Sequence, residues 1–337
     1  MDNKILVWGA GAIGGTVGAW LARAGFAVTF VDIDAEHISR IRDPQQGLHL
    51  SGVEDFHVVA PAFLPGELQG RWERIFLAVK AHHTVQATTQ LLPFLAEDGY
   101  VLSLQNGLCE PMIAEIVGAH RTVGAFINFY ADWQAPGEIH YSNRGAAVIG
   151  ELDGSMTPRL AALHADLRHF EPDVIQADNL DSWLWGKLAY GSLLFAQATG
   201  EKGIADCLAR EDIRPVLTRL AGEIVQLAEA AQIPLKGFNG FDPAAFRAGS
   251  CQAEIDRTFA AMVAFNRPNS KTHSGIWRDL AVRKRATEVE GQLGIVSSLA
   301  AKRGIACPTV DALIAMIHQI EAGERPLADH NLNELLP

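Results

Sequence analysis

Gly9-Ala10-Gly11-Ala12-Ile13-Gly14 stands between an apolar run, Lys4–Trp8, and a stretch of helical character over 16–24. Its spacing is G-x-G-x-x-G, and a strand before with a helix after is the setting in which that spacing binds a dinucleotide. Gly9 permits a tight turn, Gly11 lets the backbone approach a pyrophosphate, and Gly14 lets the helix pack closely on the sheet with its amino end toward the anion. Asp32 closes the next apolar run, Ala27–Val31, where a carboxylate can accept hydrogen bonds from both ribose hydroxyls. An acid there repels a 2′-phosphate, which favours NAD and leaves NADP as the alternative. Asp34 is a competing carboxylate for the same role. A glycine turn without any ligand satisfies the bare triplet in many α/β proteins. The order strand, glycines, helix, strand, acid is what speaks for a cofactor.

Further along, Lys80 follows the apolar run 74–79 and Asn106 follows 100–104, so both sit at strand ends where a nicotinamide would lie. Each has a plainer reading, a solvated lysine opening a helix and an Asn-Gly turn. Lys187 falls at helical spacing with Leu180, Leu184, Gly191, Leu194 and Ala198, a stripe with no other charge. Burial there disfavours the ammonium and makes the amine able to exchange a proton near neutral pH. The alternative is a lysine that carries its amine out to the surface. Thr287 and Glu290 have the T-x-x-E spacing of a capping box, which leaves Glu288 at the helix start either to reach outward or only to complement the dipole. His82 and His83 lack the spacing and third ligand of a metal site, and no metal is expected. Neither G-x-S-x-G nor a P-loop is present, which removes the common hydrolase and NTPase readings.

The elements that must position these residues divide the chain. Over the first half, β-branched and apolar runs alternate with helical stretches, the pattern of βαβ units and a parallel sheet, with short pieces at 138–141 and 146–149 finishing it. Helices are predicted over 181–198, 214–232, 253–265, 287–303 and 309–322. The expected fold is thus α/β, a Rossmann dinucleotide-binding domain over 1–175 followed by an all-helical substrate and catalytic domain over 176–337. The helical half has apolar positions that could close a homodimer or be buried within one subunit.

Composition narrows the partners. The 337 residues are 48% hydrophobic and 20% charged, enough for two domains with cores of their own. A net charge of -11 repels a phosphate backbone, so no nucleic acid is expected. Residues 5–22 carry no charge, but five glycines in that run argue against a membrane span. Cys109, Cys207, Cys251 and Cys307 form no pair of zinc or disulfide spacing and read as reduced thiols of a cytoplasmic protein.

Together, Gly9 to Gly14, Val79-Lys80-Ala81, Leu104-Gln105-Asn106-Gly107, Trp185-Gly186-Lys187-Leu188 and Thr287-Glu288-Val289-Glu290 resemble the ketopantoate reductase (2-dehydropantoate 2-reductase) family, over nearly the whole chain. The resemblance implies a Rossmann domain joined to a helical domain and reduction of a 2-oxo acid by a nicotinamide cofactor in the cleft between them. It implies that Lys187 donates the proton, that Asn106 and Lys80 lie near nicotinamide and substrate, that Glu288 helps to position both, and that Ser274 binds substrate. The segment from His273 to Asp279 is one residue longer than the family spacing.

Two departures bear on specificity. Where the family has asparagines four and eight residues after the lysine, this chain has Gly191 and Phe195, which implies a bulkier, more apolar 2-oxo acid. The arginine that NADP-using members carry just after the second strand is missing from Val31-Asp32-Ile33. An NAD-dependent D-2-hydroxy acid dehydrogenase of the same superfamily is the alternative enzyme, with a 3-hydroxy acid dehydrogenase less favoured. An NAD-sensing regulatory protein without turnover is the alternative of another class.

Overall fold

The computed structural model describes residues 3–269 and 271–336. Its chain forms two units, Met1–Leu180 and Asp181–Pro337. The first runs β1 (Lys4–Trp8), α1 (Ala12–Arg23), β2 (Ala27–Val31), α2 (Ala35–Arg42), β3 (Leu48–Gly52), β4 (Phe56–Val58), β5 (Ala62–Phe63), β6 (Trp72–Leu77), α3 (Thr84–Leu91), β7 (Leu95–Ser103), α4 (Glu110–Val117), β8 (Thr122–Ala135), β9 (Glu138–Glu151), α5 (Pro158–Leu167) and β10 (Ile175–Gln176).

These strands make one sheet in the order β4-β3-β9-β8-β7-β6-β1-β2-β5, with β10 also paired to β9. Side chains alternate across it. Ile5 and Val7 of β1 enter one apolar layer with Phe30, Phe76 and Leu102, while Leu6 and Trp8 enter the other with Ile75, Leu77 and Val101. A strand buried on both faces reads as a continuous apolar run, which is why the sequence showed these strands clearly. The chain leaves β1 for β2 on one side and later returns as β6 on the other. The carboxyl end of β1 is therefore a topological switch point, where open α/β sheets bind ligands.

Two features differ from the sequence expectation. The sheet is mixed, since β8 pairs antiparallel with β9 and β3 with β4. The pieces expected at 138–141 and 146–149 are one continuous strand, because irregularities in the β8–β9 ladder between Asn128 and Ala131 absorb the polar stretch between them.

Residues from Asp181 onward build helices: α6 (Asp181–Gln197), α7 (Ile204–Leu208), α8 (Arg214–Ala230), α9 (Gln252–Asn266), α10 (Gly275–Ala281), a π-helical turn (Glu290–Gly294), α11 (Ile295–Lys302) and α12 (Pro308–Glu321). The segment between α8 and α9 is pinned by aromatic contacts, Phe238 and Phe241 against Tyr190 of α6 and Phe246 against Phe259 of α9. No helix among the described residues is long and apolar enough to cross a membrane, and the uncharged run 5–22 is divided between β1 and α1.

Candidate active site

The glycine loop joins β1 to α1. Gly9 has φ +98, a conformation that side chains resist, and its N–H donates to Val31 Oat 2.8 Å. A Cβ on Gly14 would lie 2.0 Å from the Gly9 carbonyl oxygen, so helix and loop approach more closely than any side chain allows. Gly11 is the opposite case, with nothing within 4 Å of where its Cβ would be. It also opens α1, whose start has no side-chain cap and no acid in its first turn. The free N–H groups and dipole of that helix end therefore face an approach that a side chain would have filled, which fits a pyrophosphate.

Asp32 lies just beyond β2 and is tied to this loop. Its Oδ2 accepts from Ala10 N at 2.8 Å and its Oδ1 from Asp34 N at 3.1 Å. Asp34 is committed elsewhere, its Oδ1 capping α2 by accepting from His37 N at 3.0 Å. Ile33 between them is 80% exposed and carries no charge.

His37 was not found by sequence reasoning. It is buried, its Nε2 lies 2.8 Å from Ala10 O, and its Nδ1 accepts from Gly137 N at 2.8 Å. Because Nδ1 is an acceptor, the proton sits on Nε2 and is donated to the loop carbonyl. Only the i+5 step from Asp32 marked His37 in the sequence, and that is too weak a signal.

Lys80 and Asn106, both half-buried, stand three residues beyond Leu77 and Ser103, which are partners in the β6–β7 register. Buried Gln105 links these two strand ends, donating to Val79 O at 2.9 Å and Thr84 Oγ1 at 2.8 Å.

In the helical unit, α6 is buried on nearly every side. Trp183, Lys187, Gly191 and Leu194 form its one half-buried strip beyond the first residue. Lys187 is thus partly accessible rather than enclosed, on the line of the helix that something can reach. Phe195 is fully buried and belongs to the core, so Leu194, not Phe195, accompanies Gly191 on that strip. Gly186 is explained by packing, since a Cβ there would lie 2.3 Å from Lys236 O.

Ser274 caps α10, its Oγ accepting from Trp277 N at 3.1 Å. Its own N–H points to Gln197 Oε1 at 3.4 Å, ten residues or roughly 15 Å of helix beyond Lys187. The hydroxyl proton remains able to donate.

The capping box expected of Thr287 and Glu290 is not formed. Glu321 of α12 takes both the N–H and the hydroxyl of Thr287 at 2.7 Å, and Glu290 instead meets His318 Nε2 at 2.7 Å. Thr287 Oγ1 accepts from Val289 N at 3.2 Å, and the helix expected over 287–303 opens as the π-turn before α11. Hydrogen bonds from Glu290 and then Glu321 raise the pKa of His318. Burial pushes Glu321 up, but the Thr287 and His318 donors outweigh it and hold this carboxyl below its ordinary value. Glu288, just before the turn, gives its carbonyl to Gln292 N at 3.0 Å. Burial lifts the Cys207 thiol to about 12 and that of Cys307 to about 11, so neither supplies a thiolate near neutral pH.

A switch-point glycine loop under an uncapped helix, with a carboxylate at the end of the next strand, defines a Rossmann-type dinucleotide-binding protein. The family models for ketopantoate reductase PanE/ApbA and for its C-terminal region match residues 5–154 and 179–321. The chain belongs to the ketopantoate reductase family. It is 29% identical to the 2-dehydropantoate 2-reductase of Pyrococcus abyssi over 194 residues, 57% of this chain and 62% of that one, so it spans less than two thirds of that relative. A PanE/ApbA family ketopantoate reductase from Ralstonia eutropha JMP134 matches with a TM-score of 0.78 at 25% identity, over 95% of this chain and 99% of the other. D-mandelate dehydrogenase in its ternary structure with NADH and anilino(oxo)acetate matches with a TM-score of 0.83 at 21% identity, over 95% and 99%, a likeness of fold.

Proposed function

We propose that this chain is an NADH-dependent reductase of a 2-oxo acid, and that its pocket takes a bulkier substituent than 2-dehydropantoate carries. The observation that carries the reading is Lys187 on the one accessible strip of an otherwise buried helix, beside a glycine, in a chain of this family. The cofactor preference is supported by Asp32, which alone of the two acids is free of a helix cap, and by the uncharged Ile33 beside it.

When bound, the nicotinamide supplies hydride to the 2-carbon. Gly9, Ala10, Gly11, Ala12, Ile13 and Gly14 would hold the pyrophosphate and Asp32 the ribose. Lys187 stabilises negative charge on the carbonyl oxygen and gives it a proton. Lys80 and Asn106 orient the nicotinamide end and the substrate, and Glu288 positions both. Ser274 caps α10 beside Gln197, ten residues beyond Lys187 on α6, and is given no role at the reacting carbonyl. Gly191 leaves the space that a larger substituent needs. In reverse, with NAD as the oxidant that takes the hydride, Lys187 would accept the hydroxyl proton of a 2-hydroxy acid, and the uncharged Gly191–Leu194 strip suits an aromatic one.

Steady-state oxidation of NADH and NADPH with a panel of 2-oxo acids, and reduction of NAD with the matching 2-hydroxy acids, tests this. The expected result is turnover with NADH preferred in kcat/KM by about tenfold or more, a difference of ~1.4 kcal/mol. Lys187→Ala should lower kcat by roughly 10²–10⁴ with NADH affinity unchanged. Tight NADH binding without turnover of any of these acids, or a Lys187→Ala variant with undiminished kcat, would overturn the proposal.

A further inference from the structure

Gln292 lies inside the π-helical turn Glu290–Gly294, a rare local geometry that recurs at functional sites. Its backbone N–H bonds the Glu288 carbonyl, which places Glu288 and Gln292 one turn apart. Lys187 and Gly191 are one turn apart on α6. Gly191 and Gln292 face each other: apart from the neighbouring backbone of α6 itself, Gln292 Oε1 at 4.0 Å is what a Cβ built on Gly191 would meet. The Gln292 side chain is half-buried, and its amide has no hydrogen-bond partner among the described residues. Side-chain amides in such positions bond water until a ligand displaces it, and a displacing group that cannot replace those bonds leaves the amide stranded.

We infer that Gln292 is a specificity-determining residue. Its amide hydrogen-bonds an oxygen or nitrogen on the substituent of the 2-oxo acid that lies over Gly191, one helical turn from the lysine. This deepens the reductase reading and rests on it. The space above Gly191 admits bulk, aromatic or aliphatic, and Gln292 favours bulk that carries a polar group where it meets the amide. An amide offers both a donor and an acceptor, so a hydroxyl, carbonyl or amide on the substrate would each be held.

Two probes of equal size separate polarity from volume: 2-dehydropantoate, with a hydroxymethyl group on its third carbon, and 3,3-dimethyl-2-oxopentanoate, with an ethyl group there. Their dissociation constants are measured by calorimetry in the presence of NAD, where no turnover occurs, and their rates by NADH oxidation. The wild-type chain should bind the hydroxylated acid about tenfold more tightly. Gln292→Met, of similar volume, should bring that ratio close to one while leaving NADH affinity and the binding of the ethyl acid within about twofold. Gly191→Ala, whose added methyl makes only ordinary contact with Gln292, should weaken both acids and keep the ratio. A ratio near one in the wild type, or one unchanged by Gln292→Met, overturns the inference. Binding of neither acid overturns the inference about Gln292, whereas the reductase assignment falls only if no 2-oxo acid of the wider panel, the larger ones included, supports NADH oxidation.

Discussion

One neutral imidazole fixes the peptide at the centre of the glycine loop. His37 donates to Ala10 O, while Asp32 accepts from Ala10 N, so that this one residue is held from both sides. Replacing His37 by Leu removes both ring bonds and leaves the Ala10 carbonyl and the Gly137 N–H unsatisfied in a buried place, at a cost of about 1–3 kcal/mol. Part of this should appear as a loss of loop geometry. The expected outcome is a KM for NADH raised about tenfold, with kcat and the KM for the 2-oxo acid within about twofold. A variant that lost thermal stability but kept its NADH KM would show the histidine to be structural only. The glycine turn and the place of Asp32 are legible in the sequence because both are set within a few residues of a strand end. His37 is not, since its two partners stand 27 and 100 residues away and no local pattern connects them.

At the scale of elements, the turn that carries Gln292, with Glu288 just before it, is held by α12. Most helices of the second unit were legible from their periodicity and stops: α6 and α8 begin where expected, and α9 and α12 within a residue. The start of the Thr287 segment was misread because T-x-x-E reports a local bond, and a tertiary carboxylate, Glu321, competes for the same N–H and wins. His318 completes the clamp between Glu290 and Glu321. Its pKa is raised in the folded chain, so its contribution to stability is fully present below its ordinary pKa and is lost as pH rises through the folded value. Glu321, held low, contributes above the ordinary carboxylate range and is lost only at more acid pH. The excess melting temperature of the wild type over His318→Gln should therefore be greatest between about pH 5 and 6 and shrink toward pH 8. His318 is 44% exposed, so the maximum should stay under about 1 kcal/mol, or roughly 2–4 °C. An excess that grew with pH would refute the clamp.

For the whole molecule, the first unit holds two apolar layers of its own and the residues proposed to bind the cofactor. Both apolar layers of the first unit, with the glycine loop, Asp32, Lys80 and Asn106, lie within residues 1–180. Leu180 closes that unit, its side chain filling the place where a Cβ on Gly124 or Gly150 would otherwise sit, at 2.4 and 3.0 Å. Two strand residues, Ile175 and Gln176, extend the sheet beside β9. A fragment of residues 1–180 should thus melt in a single cooperative transition and be stabilised by NADH, by about 2.7 kcal/mol at a hundred times the dissociation constant. One ended at 175 loses half of that last strand and exposes the seat of Leu180, and should melt lower. Neither should oxidise NADH with any 2-oxo acid, because Lys187 and Glu288, proposed to act on the substrate, lie beyond the cut. Calorimetry of both fragments with and without NADH checks the folding claim. An active 1–180 fragment would remove Lys187 from the reaction, and an unfolded one would show that the sheet's two apolar layers do not suffice to hold the cofactor half together.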